Sequence, residues 1–185
     1  MKIYEYKDKK DYIEHQLSKT DRHKDKIWIS DDVIETICDY VDKSKIEFGI
    51  CHGVRSGYEV TQFALHLDAK IIGTELSQIL NKNVIQWDFN EIKGEWLNSV
   101  DFIYSNSWDH SNNPKVCLDN WMQCLSKTGL CCIEHSKYHE VFNEIDCFSA
   151  TSKEYIVMFK DYDMEYIKMH DKRNTILFFL RNKQC

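Results

Sequence analysis

Proline and glycine are scarce in this chain. There is one proline, Pro114, and there are six glycines in 185 residues. Pro114 closes the stretch SNNP, a turn signal. No Lys/Arg stripe is present and the formal net charge is -6, which argues against a nucleic-acid-binding surface, because such a surface needs clustered cations. No apolar run approaches the length of a membrane span. The opening stretch MKIYEYKDKKDYIEHQL is too polar for a secretory signal. No internal repeat, low-complexity tract or linker is visible. These absences predict a cytoplasmic protein with neither nucleic acid nor membrane as partner, and leave a homodimer open.

CxxC pairs are also missing. The eight cysteines stand at 38, 51, 117, 124, 131, 132, 147 and 185. Disulfides are rare in a reducing compartment, so these read as small buried hydrophobes. The nearest approach to a metal pattern is Cys131, Cys132, His135 and His139. The histidines would share a face only if 135–139 were helical, whereas 131–134 reads as a strand, so no metal is expected.

What is present is a core. Hydrophobic residues make up 43% and aromatics 13%, enough for a folded globular chain. The length predicts one domain over 1–185, with 1–44 as an N-terminal helical cap. Residues 7–19 read as a polar helix, and Ser30 as the N-cap of a second helix striped with Val33, Ile34, Ile37, Tyr40 and Val41. From there strands and helices alternate. IEFGI (46–50), AKIIGTE (69–75), NVIQWDF (83–89), VDFIYSNS (100–107) and LCCIEH (130–135) read as strands. Helices are expected over 58–67, 114–126 and 152–160, and 164–170 with 174–181 as a closing strand pair. Buried parallel strands read as continuous apolar runs, and these do. The expected fold is α/β: a three-layer sandwich around a mostly parallel seven-stranded sheet whose last strand is antiparallel.

Half of the glycines fall in KIEFGICHGVRSGYE (45–59), at 49, 53 and 57. A Gly-rich turn after the first strand of such a sheet lets backbone approach a ligand closely. Twenty-two residues beyond Gly53, at the end of the second strand, stands Glu75. A carboxylate there can accept both hydroxyls of a ribose. Together these predict a nucleoside site.

The spacing Glu47-x-Gly49-x-Cys51-x-Gly53 resembles the acidic-x-G-x-G-x-G signature of class I S-adenosylmethionine-dependent methyltransferases, which have a Rossmann-like fold. The resemblance continues in order through IIGTELS, IQWDF, DFIYSNSWDH and CLSKTGLCCIEH, over about residues 45 to 135. It implies S-adenosyl-L-methionine as cofactor. The implied contacts are Gly49, Cys51, His52 and Gly53 in the first turn, Glu75 and Leu76 at the ribose, Asp88 and Phe89 at the adenine, and Ser105 and Asn106 at the methyl-donor end. Two positions depart from the pattern. Cys51 replaces a glycine, and Ser126-Lys127-Thr128-Gly129 replaces the usual Pro-Gly pair.

Methyl transfer mainly requires alignment, and a base adds to it when the nucleophile carries a proton. The resemblance points to His110 as that base, with Asp109 orienting it or capping its loop. Arg55, Trp108 and His135 are the candidates for the acceptor pocket, Arg55 because a guanidinium forks onto phosphate or carboxylate. Only about 45 residues precede the first strand of the alternating run, a small platform that favours a small-molecule acceptor, and the histidine-rich rim with Arg55 and Lys137 suits an anionic one. O- and N-methylation both remain open. Two other readings stand beside this one. A non-catalytic S-adenosylmethionine-binding partner subunit is motivated by Cys51 and Lys127-Thr128, and a dinucleotide-dependent oxidoreductase is disfavoured by the turn spacing.

Overall fold

The computed structural model describes residues 1–22 and 26–183. A short strand β1 (Lys2–Ile3) and helix α1 (Lys9–Arg22) precede α2 (Asp31–Tyr40). Ser30 occupies the N-cap of α2 in extended backbone but makes no side-chain cap bond, and Asp31 and Asp32 complement the helix dipole in the first turn. The alternating part follows: β2 (Phe48–His52), α3 (Tyr58–Leu67), β3 (Lys70–Glu75), β4 (Val84–Gln86), β5 (Val100–Ser105), α4 (Pro114–Cys124) and β6 (Leu125–His135). The chain ends with β7 (Phe148–Ser149), α5 (Ser152–Met158), β8 (Asp163–Lys168) and β9 (Ile176–Arg181).

Seven strands form one sheet in the order β4-β3-β2-β5-β6-β9-β8. β2 to β6 run parallel, and β9, the last strand, is antiparallel to both neighbours. Strand order reverses between β2 and β5, the place where open α/β sheets leave a crevice for ligands. The pleat sends alternate side chains to opposite faces. Cys51, Phe102, Tyr104 and Cys132 pack under α2 and α3. Ile50, Ile103, Cys131 and Ile133 pack under α4 and α5. The expected three-layer α/β sandwich is thus observed. Because Cys131 and Cys132 point into different layers, they cannot converge on one ion with His135 and His139. Seven cysteines, all but Cys185, are buried free thiols, and Cys185 lies outside the described residues.

Several boundaries differ from expectation: β2, read over 46–50, runs Phe48–His52, which brings His52 into the strand. β4 ends at Gln86, three residues short of the stretch read from sequence, its last ladder bond running from the Trp87 N–H to the Glu75 carbonyl at 2.9 Å. β6 starts at Leu125, directly out of α4, so Ser126–Gly129 joins the strand through a register shift opposite Val100 and Phe102. Last, β1 pairs antiparallel with β7, tying Lys2 and Ile3 to Ser149 and Phe148. No helix among the described residues is long and apolar enough to cross a membrane.

Candidate functional site

The turn after β2 is built for close approach at Gly53. Its φ is +72°, and a Cβ there would lie 2.6 Å from the Ser107 Cβ, so the turn rests against the chain leaving β5. Gly49 does a different job. It sits inside β2, where a Cβ would meet Ile71 Cδ1 at 2.7 Å and the Phe102 carbonyl at 3.0 Å, so it packs the sheet and faces no cleft. Cys51 likewise points into the core under α3, where burial pushes its thiol pKa up. Both side-chain directions turn into the core, so a ligand would meet residues 49 and 51 through their backbone.

His52 and Ser105 also lie beneath the site. His52 stacks on Trp121 with ring centroids 4.6 Å apart, and its Nδ1 lies 2.8 Å from Thr74 Oγ1. Burial depresses its pKa to about 3, so it is a neutral core imidazole. The Ser105 hydroxyl donates to the His52 carbonyl at 3.1 Å and accepts the Ser107 N–H at 3.0 Å, bracing the two turns against each other.

Two cavities open above these turns. The smaller, about 40 Å³, has Glu75 and Leu76 at the end of β3, Phe89, and the Gly53 turn as walls, with Tyr12 and Gln16 of α1 seated over it. Glu75 is buried, and its two oxygens accept the backbone N–H groups of Arg55 at 2.8 Å and Leu76 at 2.9 Å. Asp88 is engaged nearby by the Asn90 backbone and side-chain nitrogens at 3.0 and 2.8 Å. Asn90 in turn donates to the Tyr12 hydroxyl at 2.9 Å. That hydroxyl donates to the His110 carbonyl at 3.2 Å, which ties α1 to the site.

The larger cavity, about 440 Å³, lies over the ends of β5 and β6. Asn106, Ser107, Asp109 and His110 supply one wall, and Glu134, Ser136 and His139 another, while Arg55 and Arg173 reach in from two other turns. His110 Nδ1 lies 3.0 Å from the Ile145 carbonyl, which can only accept. That contact assigns the proton to Nδ1 and turns Nε2 toward Asp109 at 3.8 Å and Asp146 at 3.7 Å. One ligand-type atom each of Asp109, His110 and Asp146 falls within 4.8 Å of the others. Asp109 is 6% exposed, and its Oδ1 accepts no hydrogen bond. It also lies 3.9 Å from His139 Nε2, a nitrogen that donates to the Asn106 carbonyl at 2.9 Å. His110 is therefore oriented by the Ile145 carbonyl rather than by Asp109, whose carboxylate faces Nε2 as a charge.

Two candidates for acceptor contact lie elsewhere. Trp108 is fully buried, packed on Phe148, Tyr155 and Phe159, with its indole N–H on the Pro114 carbonyl at 3.2 Å. His135 points beneath the sheet end against Tyr155, at 4.6 Å between centroids, and contacts the Ala150 carbonyl through Nε2 at 3.0 Å. Burial holds its pKa down to about 4. In both cases aromatic groups from α5 fill the space that a loop position alone would leave to solvent.

Two residues of the larger cavity escape sequence reasoning. Glu134, the last residue but one of β6, has its side chain 1% exposed, accepting the Tyr104 hydroxyl at 2.6 Å and pairing with Arg173 Nη1 at 3.2 Å. Burial raises its pKa, and Arg173 opposes that rise. Arg173 belongs to the turn between β8 and β9, where Asp171 holds its Nε at 3.3 Å and the Trp28 carbonyl accepts its Nη1 at 2.6 Å. The signal was the acid itself: a glutamate near the end of an apolar strand needs a buried partner.

No protein-family model matches the chain, and no curated protein matches it in sequence. Solved structures do. The chain is similar to the methyltransferase domain of a citrinin polyketide synthase (TM-score 0.62, 10% identity), covering 83% of this chain and 51% of that one, so it spans about half the length of that neighbour. It is similar to a chain of a Haloferax volcanii complex containing the Trm112 methyltransferase activator (TM-score 0.70, 12% identity, 94% and 98% covered). A third is the Burkholderia thailandensis 1,6-didemethyltoxoflavin-N1-methyltransferase, solved with its substrate and S-adenosylhomocysteine (TM-score 0.64, 12% identity, 95% and 87% covered). With the strand order, the reversal between β2 and β5, and the turn that brings Gly53 against Ser107, these likenesses give the chain the fold of the class I S-adenosylmethionine-dependent methyltransferases.

Proposed function

We propose that this protein transfers a methyl group from S-adenosylmethionine to an oxygen or nitrogen of a small acceptor. The carrying observation is that the two cavities share a wall. Arg55, Ser107 and His110 line both, so a donor beside Glu75 and an acceptor over β6 would meet at His110.

The residues of the smaller cavity fit the cofactor's chemistry. Each Glu75 oxygen accepts one N–H and keeps a further lone pair for a ribose hydroxyl. Phe89 offers an apolar wall, while Asp88 lies outside that lining and Asn106 belongs to the wall of the larger cavity. The space fits only after movement, since about 40 Å³ is little more than one water's share of liquid, about 30 Å³. Tyr12 and Gln16 occupy the rest, so α1 serves as a movable cap. When bound, S-adenosylmethionine supplies a sulfonium methyl whose displacement depends on alignment.

This chain's residues supply the positioning and the proton acceptor. His110, with its proton on Nδ1 and that proton held by Ile145, presents Nε2 to accept a proton from the acceptor. Asp109 and Asp146, both within 4 Å of Nε2, stabilise the imidazolium that results. His139, anchored between Ser136 and Asn106, keeps the far wall rigid. The reading also takes the chain as one cytoplasmic domain whose N-terminal segment caps the site, with no nucleic-acid or membrane partner.

One observation favours a second reading, a non-catalytic S-adenosylmethionine-binding partner subunit: α1 side chains fill the cleft at Glu75. Turnover separates the two. S-adenosylhomocysteine should accumulate from S-adenosylmethionine with a small hydroxyl- or amine-bearing acceptor. Tight cofactor binding with no turnover across a broad acceptor panel supports the partner-subunit reading instead.

A further inference from the structure

Two arginines line the larger cavity, Arg55 and Arg173, and each has one buried guanidinium nitrogen without an acceptor, Nη1 and Nη2 respectively. A buried N–H without a partner costs free energy, and a charged one costs more. Both arginines flank the same residue. Arg55 lies over the Trp28 ring at 5.9 Å, and Arg173 donates to the Trp28 carbonyl at 2.6 Å. Burial pulls the Arg55 pKa down, and the Glu75 and Glu59 carboxylates offset that only in part. Glu75 accepts the Arg55 backbone N–H at 2.8 Å, and burial raises the pKa of Glu59 to about 7. Arg173 is balanced by Glu134 and Asp171, so it adds a directed donor rather than net charge. At the other end of the cavity Asp109 and Asp146 flank His110, and a second anion there would be repelled.

We infer that the methyl acceptor carries one anionic group, a carboxylate or a phosphate, gripped between Arg55 and Arg173 with its nucleophile turned toward His110. The inference rests on the methyltransferase reading for the word acceptor, while the clamp itself stands on the two arginines. An oxyanion in the cavity would draw on a guanidinium from each of these two turns, and guanidinium–oxyanion hydrogen bonds are among the stronger ones in proteins. Arg173 is the specificity-determining member, because it lines only the larger cavity, whereas Arg55 also borders the cofactor side.

The test is calorimetric titration with phenyl phosphate, benzoate and neutral benzamide, each with and without saturating S-adenosylhomocysteine. At least one anion should bind about tenfold or more tighter than benzamide, and the tighter one identifies the group. Arg173→Lys keeps a charge opposite Glu134 but loses the fork. It should weaken that anion about tenfold and leave S-adenosylhomocysteine affinity unchanged. Arg55→Gln, confirmed as folded by its circular dichroism, should weaken the same anion without weakening S-adenosylhomocysteine. Equal binding of all three probes, or an Arg173→Lys protein that binds the anion as the parent does, overturns the clamp. Loss of S-adenosylhomocysteine binding in Arg55→Gln also overturns it, by assigning Arg55 to the cofactor. Anion binding by a protein that never binds S-adenosylhomocysteine leaves the clamp standing and removes the methyltransferase reading.

Discussion

The Glu75 carboxylate accepts the backbone N–H of Arg55 at 2.8 Å, across the turn that follows β2. The acid at the end of β3 therefore holds the Gly-rich turn in shape before any ligand arrives. A ribose bound there would find a carboxylate already oriented, at little further entropic cost. Glu75→Ala removes both the acceptor and the tether. It should weaken S-adenosylhomocysteine by about 1–3 kcal/mol, read by calorimetry. Unchanged affinity in a folded variant contradicts the ribose assignment.

His110→Ala should lower turnover about a hundredfold or more while leaving cofactor affinity nearly intact, as expected when a proton acceptor is lost. Because the proposed base acts without an ion, dialysis against a chelator should leave turnover unchanged. Activity lost to chelation and restored by a divalent cation would reassign the Asp109–His110–Asp146 group to metal binding.

Restoring the family's glycine at position 51 should harm the protein. The Cys51 side chain fills the layer under α3, so Cys51→Gly opens a void and frees the backbone of a central strand. Urea denaturation should show a loss of about 1–2 kcal/mol. Cofactor affinity in the folded fraction should not rise. A gain in affinity would mean that Cys51 obstructs the turn.

The succession of strands and helices was legible because apolar runs are local signals, and Glu75 stood out as an acid at fixed distance from a Gly-rich turn. His52 was misleading for a simple reason. Period-two alternation places it on the face of Ile50, toward Trp121, although it immediately precedes the turn. Trp108 and His135 are decided by Tyr155 and its neighbours, more than fifteen residues away in the chain, and no local pattern announces them. Arg173 lies in a hairpin turn that reads as solvent until Glu134 is seen to need it.

The buried histidines make a pH prediction with a definite sign. His52 is neutral down to about 3 when folded, against 6.5 ordinarily. Below 6.5 the unfolded chain gains a proton there that the folded chain refuses, so its stabilising contribution is present above 6.5 and lost as pH falls. The stability cost of His52→Phe should therefore shrink by about 1.4 kcal/mol per pH unit between pH 6 and 4. Glu59 has the opposite sign, its folded pKa being raised by burial to about 7 from 4.5. Glu59→Gln should become progressively more favourable, relative to the parent, as pH rises from 5 to 7. Urea titrations across that range check both, and a cost independent of pH in either variant contradicts the burial argument for that residue.

The central claim is tested most directly by calorimetric titration of the intact protein with S-adenosylmethionine, S-adenosylhomocysteine and NAD. The account predicts saturable one-to-one binding of both sulfur nucleosides, lost or weakened in Glu75→Ala, and no binding of NAD. Binding of NAD, or no heat from either sulfur nucleoside, would contradict it.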